Sequence, residues 1–255
     1  MKIMVCGKGG SGKSVVSVLM AKVLSKDYKV YLIDSDESNA LLPRSLGVKP
    51  PKPVVQYLGG RDAVFKKGET NIVKALSMAG KGIKLDMLPT EYVSASTEGV
   101  SLITMGKVRD FGEGCACPLN FLTRTLLKNL YLEKGEVVLV DTDAGIEHVG
   151  RRVEEGTDAV LAVVDPTAES LLLAKTLKES FEHLNRDFWL VLNKATPDII
   201  DLIKKKAREM KLEVNGTIRF DEEVFSSCLK GGELYAKQAM LDVEDLLKSI
   251  NLLTN

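Results

Sequence analysis

The sequence has no excess charge and few cysteines. Its 35 Lys and Arg residues balance 35 Asp and Glu residues, so no overall basic field attracts the protein to nucleic acid or to an anionic membrane. Four cysteines among 255 residues are too few for a disulfide framework, and no apolar run is long enough to span a bilayer. The apolar N-terminal stretch breaks at Gly7, unlike a signal peptide. We therefore expect a cytoplasmic protein that binds neither nucleic acid nor membranes.

Short apolar runs alternate with stretches of helical period along the chain. This alternation is typical of an α/β fold with a largely parallel sheet flanked by helices on both faces, and the length fits a single domain over residues 1–255. Strands are predicted over Ile3 to Cys6, Val30 to Ile33, Lys84 to Leu88, Val137 to Val140, Ala159 to Val164, Phe188 to Leu192 and Gly216 to Phe220.

Apolar residues at helical spacing predict helices between several of these strands. One helix follows the first strand, a second runs from Leu119 to Leu130, and the last covers Val243 to Ile250. The acidic residues of the last helix are expected on its solvent side, namely Asp242, Glu244 and Asp245. An acidic polar face argues against attachment of this helix to a membrane.

A phosphate-binding motif lies between the first strand and the first helix. It reads Gly7, Lys8, Gly9, Gly10, Ser11, Gly12, Lys13 and Ser14, which satisfies the P-loop pattern G-x-x-x-x-G-K-[ST]. The glycines allow backbone N–H groups and the helix N-terminus to surround phosphate groups. Lys13 is expected to reach the β- and γ-phosphates, and the Ser14 hydroxyl is expected to bind Mg²⁺.

Polar side chains follow three other predicted strands. Asp34 and Asp36 come after Val30 to Ile33, and Asp141 comes after Val137 to Val140. Open α/β sheets bind ligands at the carboxyl ends of their strands, so we expect Asp141 to lie beside the Mg²⁺ ion of the phosphate site. Asn193 and Lys194 end a further strand. An asparagine amide there can donate to and accept from the edge of adenine, whereas a simple turn residue is the alternative.

The cysteine pair Cys115 and Cys117 is the second candidate site. In an extended chain, residues two apart point to the same side at about 7 Å, so a bend allows both thiolates to bind one soft metal ion. A symmetric dimer would complete a four-cysteine site. A buried structural pair and a redox pair that cycles between dithiol and disulfide are the alternatives. Cys6 and Cys228 are expected to be core residues.

These motifs resemble the deviant Walker A group of P-loop NTPases, which includes MinD, ParA and the nitrogenase iron protein. Residues 7–14 contain that group's additional lysine, Lys8, and residues 141–145 resemble its γ-phosphate-sensing switch II, with Ala144 and Gly145 at its end. The resemblance implies that the protein hydrolyses ATP to ADP. It also implies that Lys8 contacts the partner's nucleotide in an ATP-bound homodimer. Asp36 would orient the attacking water and help to hold hydrated Mg²⁺.

The cysteine pair and the sequence Gly-Ile-Glu-His at residues 145–148 are similar to the CooC-type maturation ATPases. Those proteins support nickel insertion into carbon monoxide dehydrogenase or the associated acetyl-CoA synthase. The resemblance implies that Cys115 and Cys117 bind Zn²⁺ or Ni²⁺ across a homodimer, and that a nickel enzyme is the client. With two histidines, the chain has no His-rich tract for nickel storage.

Two other functions remain as alternatives. A positioning ATPase of the MinD or ParA type would cycle on membrane or DNA, which the zero net charge disfavours. An electron-transfer ATPase like the nitrogenase iron protein would share an iron–sulfur cluster between subunits. Its cysteines are far apart in sequence, whereas Cys115 and Cys117 are separated by one residue.

Overall fold

The structure is a computed structural model that describes residues 1–36, 39–77, 82–106, 117–143, 153–184 and 186–254. The strands in these residues are β1 (Lys2–Gly7), β2 (Lys29–Asp34), β3 (Ser94–Ala95), β4 (Val100–Thr104), β5 (Glu136–Asp141), β6 (Ala159–Val164), β7 (Asp187–Ala195) and β8 (Gly216–Arg219). They form one sheet in the order β3-β4-β2-β5-β1-β6-β7-β8. The pairing of β3 with β4 is antiparallel and the other pairings are parallel.

Helices connect these strands. Those in the described residues are α1 (Lys13–Leu24), α2 (Leu42–Ser45), α3 (Val54–Tyr57), α4 (Arg61–Leu76), α5 (Cys117–Asn129), α6 (Ala168–Phe181), α7 (Pro197–Glu209), α8 (Glu222–Lys230) and α9 (Lys237–Ser249). Short 3₁₀ helices cover Leu85–Met87, Thr90–Tyr92, Val153–Gly156 and Glu182–Leu184. None of the helices described combines the length and the apolar character that crossing a membrane would require.

The sheet separates two hydrophobic cores. Met4 and Cys6 of β1 belong to the core on the α5 side, whereas Ile3 and Val5 belong to the core on the side of α1 and α9. This division follows from the alternation of side chains along a strand. Full burial of one such aliphatic side chain contributes about 1.5–3 kcal/mol. The predicted α/β fold with helices on both faces is therefore confirmed, including the buried faces of α1, α5 and α9.

One predicted strand is wrong. The segment Lys84 to Leu88 contains the 3₁₀ helix Leu85–Met87. The preceding residue, Ile83, forms isolated β-bridges. The polar Asp86 interrupts the apolar run, and Pro89 ends it. The sheet position beside β2 is instead taken by β4, whose Val100, Leu102 and Ile103 are fully buried.

Two side chains differ in burial from the prediction. Cys6 is buried as expected, but Cys228 is exposed on α8. Asp242 of α9 was expected in solvent and is 6% exposed. Its carboxylate accepts hydrogen bonds from the Arg219 backbone N–H at 2.9 Å and from the Arg219 guanidinium. A carboxylate can be buried when it is paired in this way, and this pair joins α9 to β8.

Candidate functional site

Strand order places the predicted phosphate loop beside the predicted acidic residues. Strand β5 lies between β1 and β2. Asp141 is in register with Asp34 of β2 and with Val5 of β1. Because these strands are parallel, their carboxyl ends meet at one edge of the sheet. The loop that leaves β1 at Gly7 therefore begins next to the acidic end of β5, with the acidic end of β2 one strand further along the same edge.

Glycine is sterically required at two positions of this loop. A Cβ at Gly7 would lie 2.3 Å from the carbonyl oxygen of Val163 on β6. At Gly12, φ is +95° and a Cβ would lie 2.3 Å from Asn193 Nδ2. Other residues rarely adopt this left-handed conformation. The tight loop thus packs against β6 and β7 while its backbone enters α1.

A cleft of about 510 Å³ opens over the loop. Its lining includes Lys13, Ser14 and Asp36, as the sequence predicts for a phosphate and Mg²⁺ site. Lys13 is 7% exposed, and its Nζ donates to the carbonyl oxygen of Lys8 at 3.3 Å. This hydrogen bond holds the ammonium group within the curl of the loop, where phosphate oxygens would accept from it.

Asp141 has the features of a carboxylate that faces a bound cation. Its Oδ1 accepts from Ser17 Oγ at 3.1 Å, while its buried Oδ2 has no hydrogen-bond partner among the described residues. Burial raises the pKa of Asp141 to about 6, against the opposing influence of Ser14 and Lys13. Mg²⁺ prefers carboxylate, hydroxyl and water oxygens. An unpaired carboxylate oxygen beside the Ser14 hydroxyl therefore fits hydrated Mg²⁺, which would also compensate the buried charge.

Asn193 and Lys194 support the phosphate loop. Asn193 Nδ2 donates to the Ser11 carbonyl oxygen at 2.8 Å, and Lys194 Nζ donates to the Gly10 carbonyl oxygen at 2.7 Å. Lys194 has φ of +59°, the left-handed conformation that turns its side chain out of the strand. Adenine recognition by Asn193 stays a prediction, and its amide nitrogen already serves the loop backbone.

A smaller pocket of about 140 Å³, lined in part by Asn193, adjoins the cleft at Gly12 and Lys194. Ile218, Phe220 and Val224 are among its lining residues. An apolar pocket with a few polar groups at its edge is typical of ligand sites. A planar base could lie in this pocket while its phosphates occupy the neighbouring loop.

Lys8 is not directed into the cleft. Its Nζ forms an ion pair with Glu169 Oε2 at 2.9 Å, in the first turn of α6. The hydrogen bond that Lys8 donates to the Glu169 carboxylate raises the pKa of Lys8. The lysine is thus fully charged and held at the surface of the subunit. Its predicted contact with a partner's nucleotide stays a prediction.

Two polar contacts of this site were not predicted from the sequence. Asn39 Nδ2 donates to Ser14 Oγ at 2.9 Å. Ser35 Oγ is 3.1 Å from Thr123 Oγ1 of α5. Both contacts depend on loop conformation, and the sequence carries no periodic pattern or motif that could have indicated them.

Several predicted residues lie outside the described part of the chain. They are Cys115, Ala144, Gly145 and His148. Cys117 is the first residue of α5, although its side chain is likewise outside the description. Among the described residues, no group of three or more His, Cys, Asp and Glu side chains could hold a metal ion. The cysteine metal site therefore stays a prediction.

Sequence comparison identifies a family and several relatives. The family model of the CobQ/CobB/MinD/ParA nucleotide binding domain matches residues 2–234. An uncharacterized ATP-binding protein of Methanocaldococcus jannaschii is 42% identical over 250 residues, 97% of this chain and 99% of that protein. The carbon monoxide dehydrogenase accessory protein CooC of Rhodospirillum rubrum is 32% identical over 248 residues, 92% of this chain and 89% of that protein.

Solved structures with the same fold include two cell division proteins. A chain of the MinC:MinD cell division protein complex of Aquifex aeolicus matches with a TM-score of 0.70 at 17% identity, over 100% of this chain and 96% of that chain. The septum site-determining protein MinD of Pyrococcus horikoshii, complexed with Mg-ADP, matches with a TM-score of 0.70 at 14% identity, over 98% and 95%. At these identities the likeness concerns the fold alone.

Proposed function

Because the chain belongs to the CobQ/CobB/MinD/ParA family of nucleotide-binding domains, whose members typically hydrolyse ATP, we propose that it is a homodimeric Mg²⁺-dependent ATPase. We propose further that it supports nickel insertion into carbon monoxide dehydrogenase or acetyl-CoA synthase. The similarity to CooC over 92% of the chain supports this assignment. The cysteine pair Cys115 and Cys117 supports it as well, because two thiolates can bind one soft metal ion.

The cleft supplies the groups that phosphoryl transfer to water needs. Lys13 would neutralise negative charge on the β- and γ-phosphates, and the loop N–H groups would donate to their oxygens. Ser14 and Asp141 would hold Mg²⁺, which stabilises the charge that develops on the phosphates. Asp36 lines the same cleft and would orient the attacking water. Lys8 of the partner would add a positive charge once two subunits close on ATP.

The observation that carries the proposal is a buried hydrogen-bonded link between the nucleotide site and α5. Ser35 lies between Asp34 and Asp36, and its N–H donates to the Asp141 carbonyl oxygen at 2.9 Å. Its side chain contacts Thr123, whose Oγ1 donates to the Leu119 carbonyl oxygen at 3.0 Å. Since the Thr123 proton is thereby used, Ser35 is the donor in the contact between the two hydroxyls.

This link leads toward the cysteine pair. Helix α5 begins at Cys117, and the rise of 1.5 Å per residue places Thr123 about 9 Å further along its axis. A shift of Asp36 on ATP hydrolysis would therefore act on the helix that starts at the proposed metal site. Nucleotide state and metal binding would be coupled through packed, hydrogen-bonded groups.

Metal content tests the proposal. We expect purified protein to contain zinc or nickel in a ratio of one ion to two subunits, and the Cys115→Ala, Cys117→Ala variant to contain none. Cys228→Ala is the matched control, because Cys228 is an exposed cysteine outside the pair and its removal should leave metal content unchanged. Equal metal content in wild type and in the double variant would refute the cysteine site.

A second experiment tests the client. The protein with ATP should increase nickel incorporation into purified nickel-free carbon monoxide dehydrogenase, whereas the Lys13→Ala variant should not. Co-sedimentation with anionic vesicles or DNA in the presence of ATP, without any effect on nickel incorporation, would favour the positioning function instead.

A further inference from the structure

We infer that Asn39 holds the magnesium-facing oxygens of the cleft in a metal-free arrangement, and that its side-chain hydrogen bond to Ser14 opposes Mg²⁺ binding. This inference rests on the proposed binding of Mg²⁺ and ATP. It assigns to Asn39 a positioning role: the residue sets how much Mg²⁺ the nucleotide site requires.

Asn39 contacts two of the groups that are expected to face the metal. Its side-chain Nδ2 donates to Ser14 Oγ at 2.9 Å, and its backbone N–H donates to Asp36 Oδ1 at 3.2 Å. Asn39 itself is part of the lining of the cleft. A single residue therefore occupies both the P-loop hydroxyl and the carboxylate that would hold hydrated Mg²⁺.

The orientation of the Asn39 amide follows from its other contact. The Leu41 backbone N–H, which can only donate, lies 3.2 Å from Asn39 Oδ1. The oxygen of the amide must accept there, so the NH₂ group faces Ser14. This NH₂ group can only donate, and Ser14 Oγ consequently accepts. The Ser14 proton is then directed away from Asn39, and Ser14 lies close enough to Asp141 to lower the pKa of that carboxyl.

A magnesium ion and the Asn39 amide compete for the same oxygen. Mg²⁺ binds its ligands at about 2.0–2.1 Å and demands near-ideal octahedral geometry. An amide N–H presents the positive end of its dipole to Ser14 Oγ, and a cation on that oxygen would face the same positive end. The backbone N–H of Asn39 likewise presents a positive dipole to Asp36 Oδ1. Bound Mg²⁺ and the Asn39 hydrogen bond to Ser14 therefore disfavour each other.

The inference predicts a change in the magnesium requirement of nucleotide binding. Asn39→Leu keeps a similar volume and removes the donor. With the fluorescent probe N-methylanthraniloyl-ADP, we expect half-maximal tightening of binding at a Mg²⁺ concentration about two- to twelvefold lower than in wild type, the range that one neutral hydrogen bond contributes. Affinity in EDTA is measured for each variant, so that the effect of Mg²⁺ is expressed relative to metal-free binding.

Two further variants keep the test decisive. Asn39→Asp retains an acceptor for Leu41 N–H and cannot donate to Ser14, but its carboxylate would itself attract Mg²⁺, so a lower requirement in this variant supports the inference only together with a lower requirement in Asn39→Leu. Asn71→Leu is the matched control, because Asn71 is an exposed asparagine on α4 outside the cleft, and its magnesium requirement should equal that of wild type. Circular dichroism melting establishes that each variant is folded.

The outcomes separate the inference from the proposed function. An unchanged or higher magnesium requirement in folded Asn39→Leu would overturn the inference while leaving the ATPase proposal intact. Failure of wild-type protein to bind the nucleotide probe at any Mg²⁺ concentration would overturn the ATPase proposal itself.

Discussion

Replacing Thr123 with valine removes the hydroxyl that joins α5 to the segment Asp34-Ser35-Asp36, which we call switch I. Valine has nearly the same volume, so packing in this buried position is preserved while both hydrogen bonds of Thr123 are lost. The Ser35 hydroxyl, whose residue is 2% exposed, would be left without its acceptor. Stranding a buried donor costs about 1–3 kcal/mol.

Thermal unfolding measures this cost. For a chain of 150–250 residues, about 1 kcal/mol shifts the melting temperature by about 2–4 °C, so we expect Thr123→Val to melt roughly 2–12 °C below wild type. Ser35→Ala removes the donor instead and leaves Thr123 bonded to Leu119, so it should cost only about 0.5–1.5 kcal/mol. The double variant should cost less than the sum of the two single variants, because no donor is stranded in it.

Thr125 provides the matched control on the same helix. It is also fully buried, but its Oγ1 has no hydrogen-bond partner among the described residues. Thr125→Val should therefore leave the melting temperature unchanged or raise it. If Thr123→Val and Thr125→Val melted at the same temperature, the Ser35–Thr123 hydrogen bond would contribute nothing, and our account of the link between switch I and α5 would be wrong.

Two other variants test the nucleotide site. Lys8→Ala should abolish ATP-dependent dimerisation on a sizing column, and a dimer unaffected by this change would contradict the cross-subunit role. Glu169→Gln should release Lys8 from its ion pair. Dimerisation of this variant should need a modestly lower ATP concentration, since exposed ion pairs are weak. Gly12→Ala places a Cβ 2.3 Å from Asn193 Nδ2 at a left-handed φ, so binding of N-methylanthraniloyl-ADP should be lost; binding of wild-type strength would show that the loop is not tightly packed.

The nucleotide edge was predictable because β2 and β5 are apolar runs that end in an aspartate, and β1 leads into the P-loop motif. Lys13 and Asp36 line one cleft, and both lie close enough to Asp141 to influence its pKa, since parallel strands bring their carboxyl ends to one edge. The sequence also predicts the α5 face correctly, because Leu119, Leu122 and Leu126 repeat at helical spacing and are buried. Long periodic segments carry this information locally.

Features that depend on tertiary contacts were predicted less well. The run at residues 84–88 was assigned to a strand, but the place beside β2 belongs to β4. Short apolar runs are ambiguous because neighbouring strands decide between them. Asp242 was assigned to solvent because nothing local reveals that Arg219, distant in sequence, pairs with it. The contacts of Asn39 and Thr123 were missed for the same reason.

Switch I contacts both the phosphate loop and α5, because side chains alternate along an extended chain. Leu32 belongs to the core on the α1 side, and Ile33 belongs to the core on the α5 side. Continued past the end of β2, this alternation directs Asp36 toward the phosphate loop and Ser35 toward α5, in agreement with their observed contacts.

A metal or nucleotide that moves Asp36 therefore also moves the backbone of Ser35, since the two residues are adjacent. On the side of switch I that faces the phosphate loop, displacement of Asn39 from Ser14 and Asp36 would come first. On the side that faces α5, a change in the contact between Ser35 and Thr123 would follow. If this account is correct, Asn39→Leu and Thr123→Val should differ in kind: the first should alter the magnesium requirement, and the second should leave that requirement unchanged while weakening any effect of ATP on metal binding at the cysteine pair.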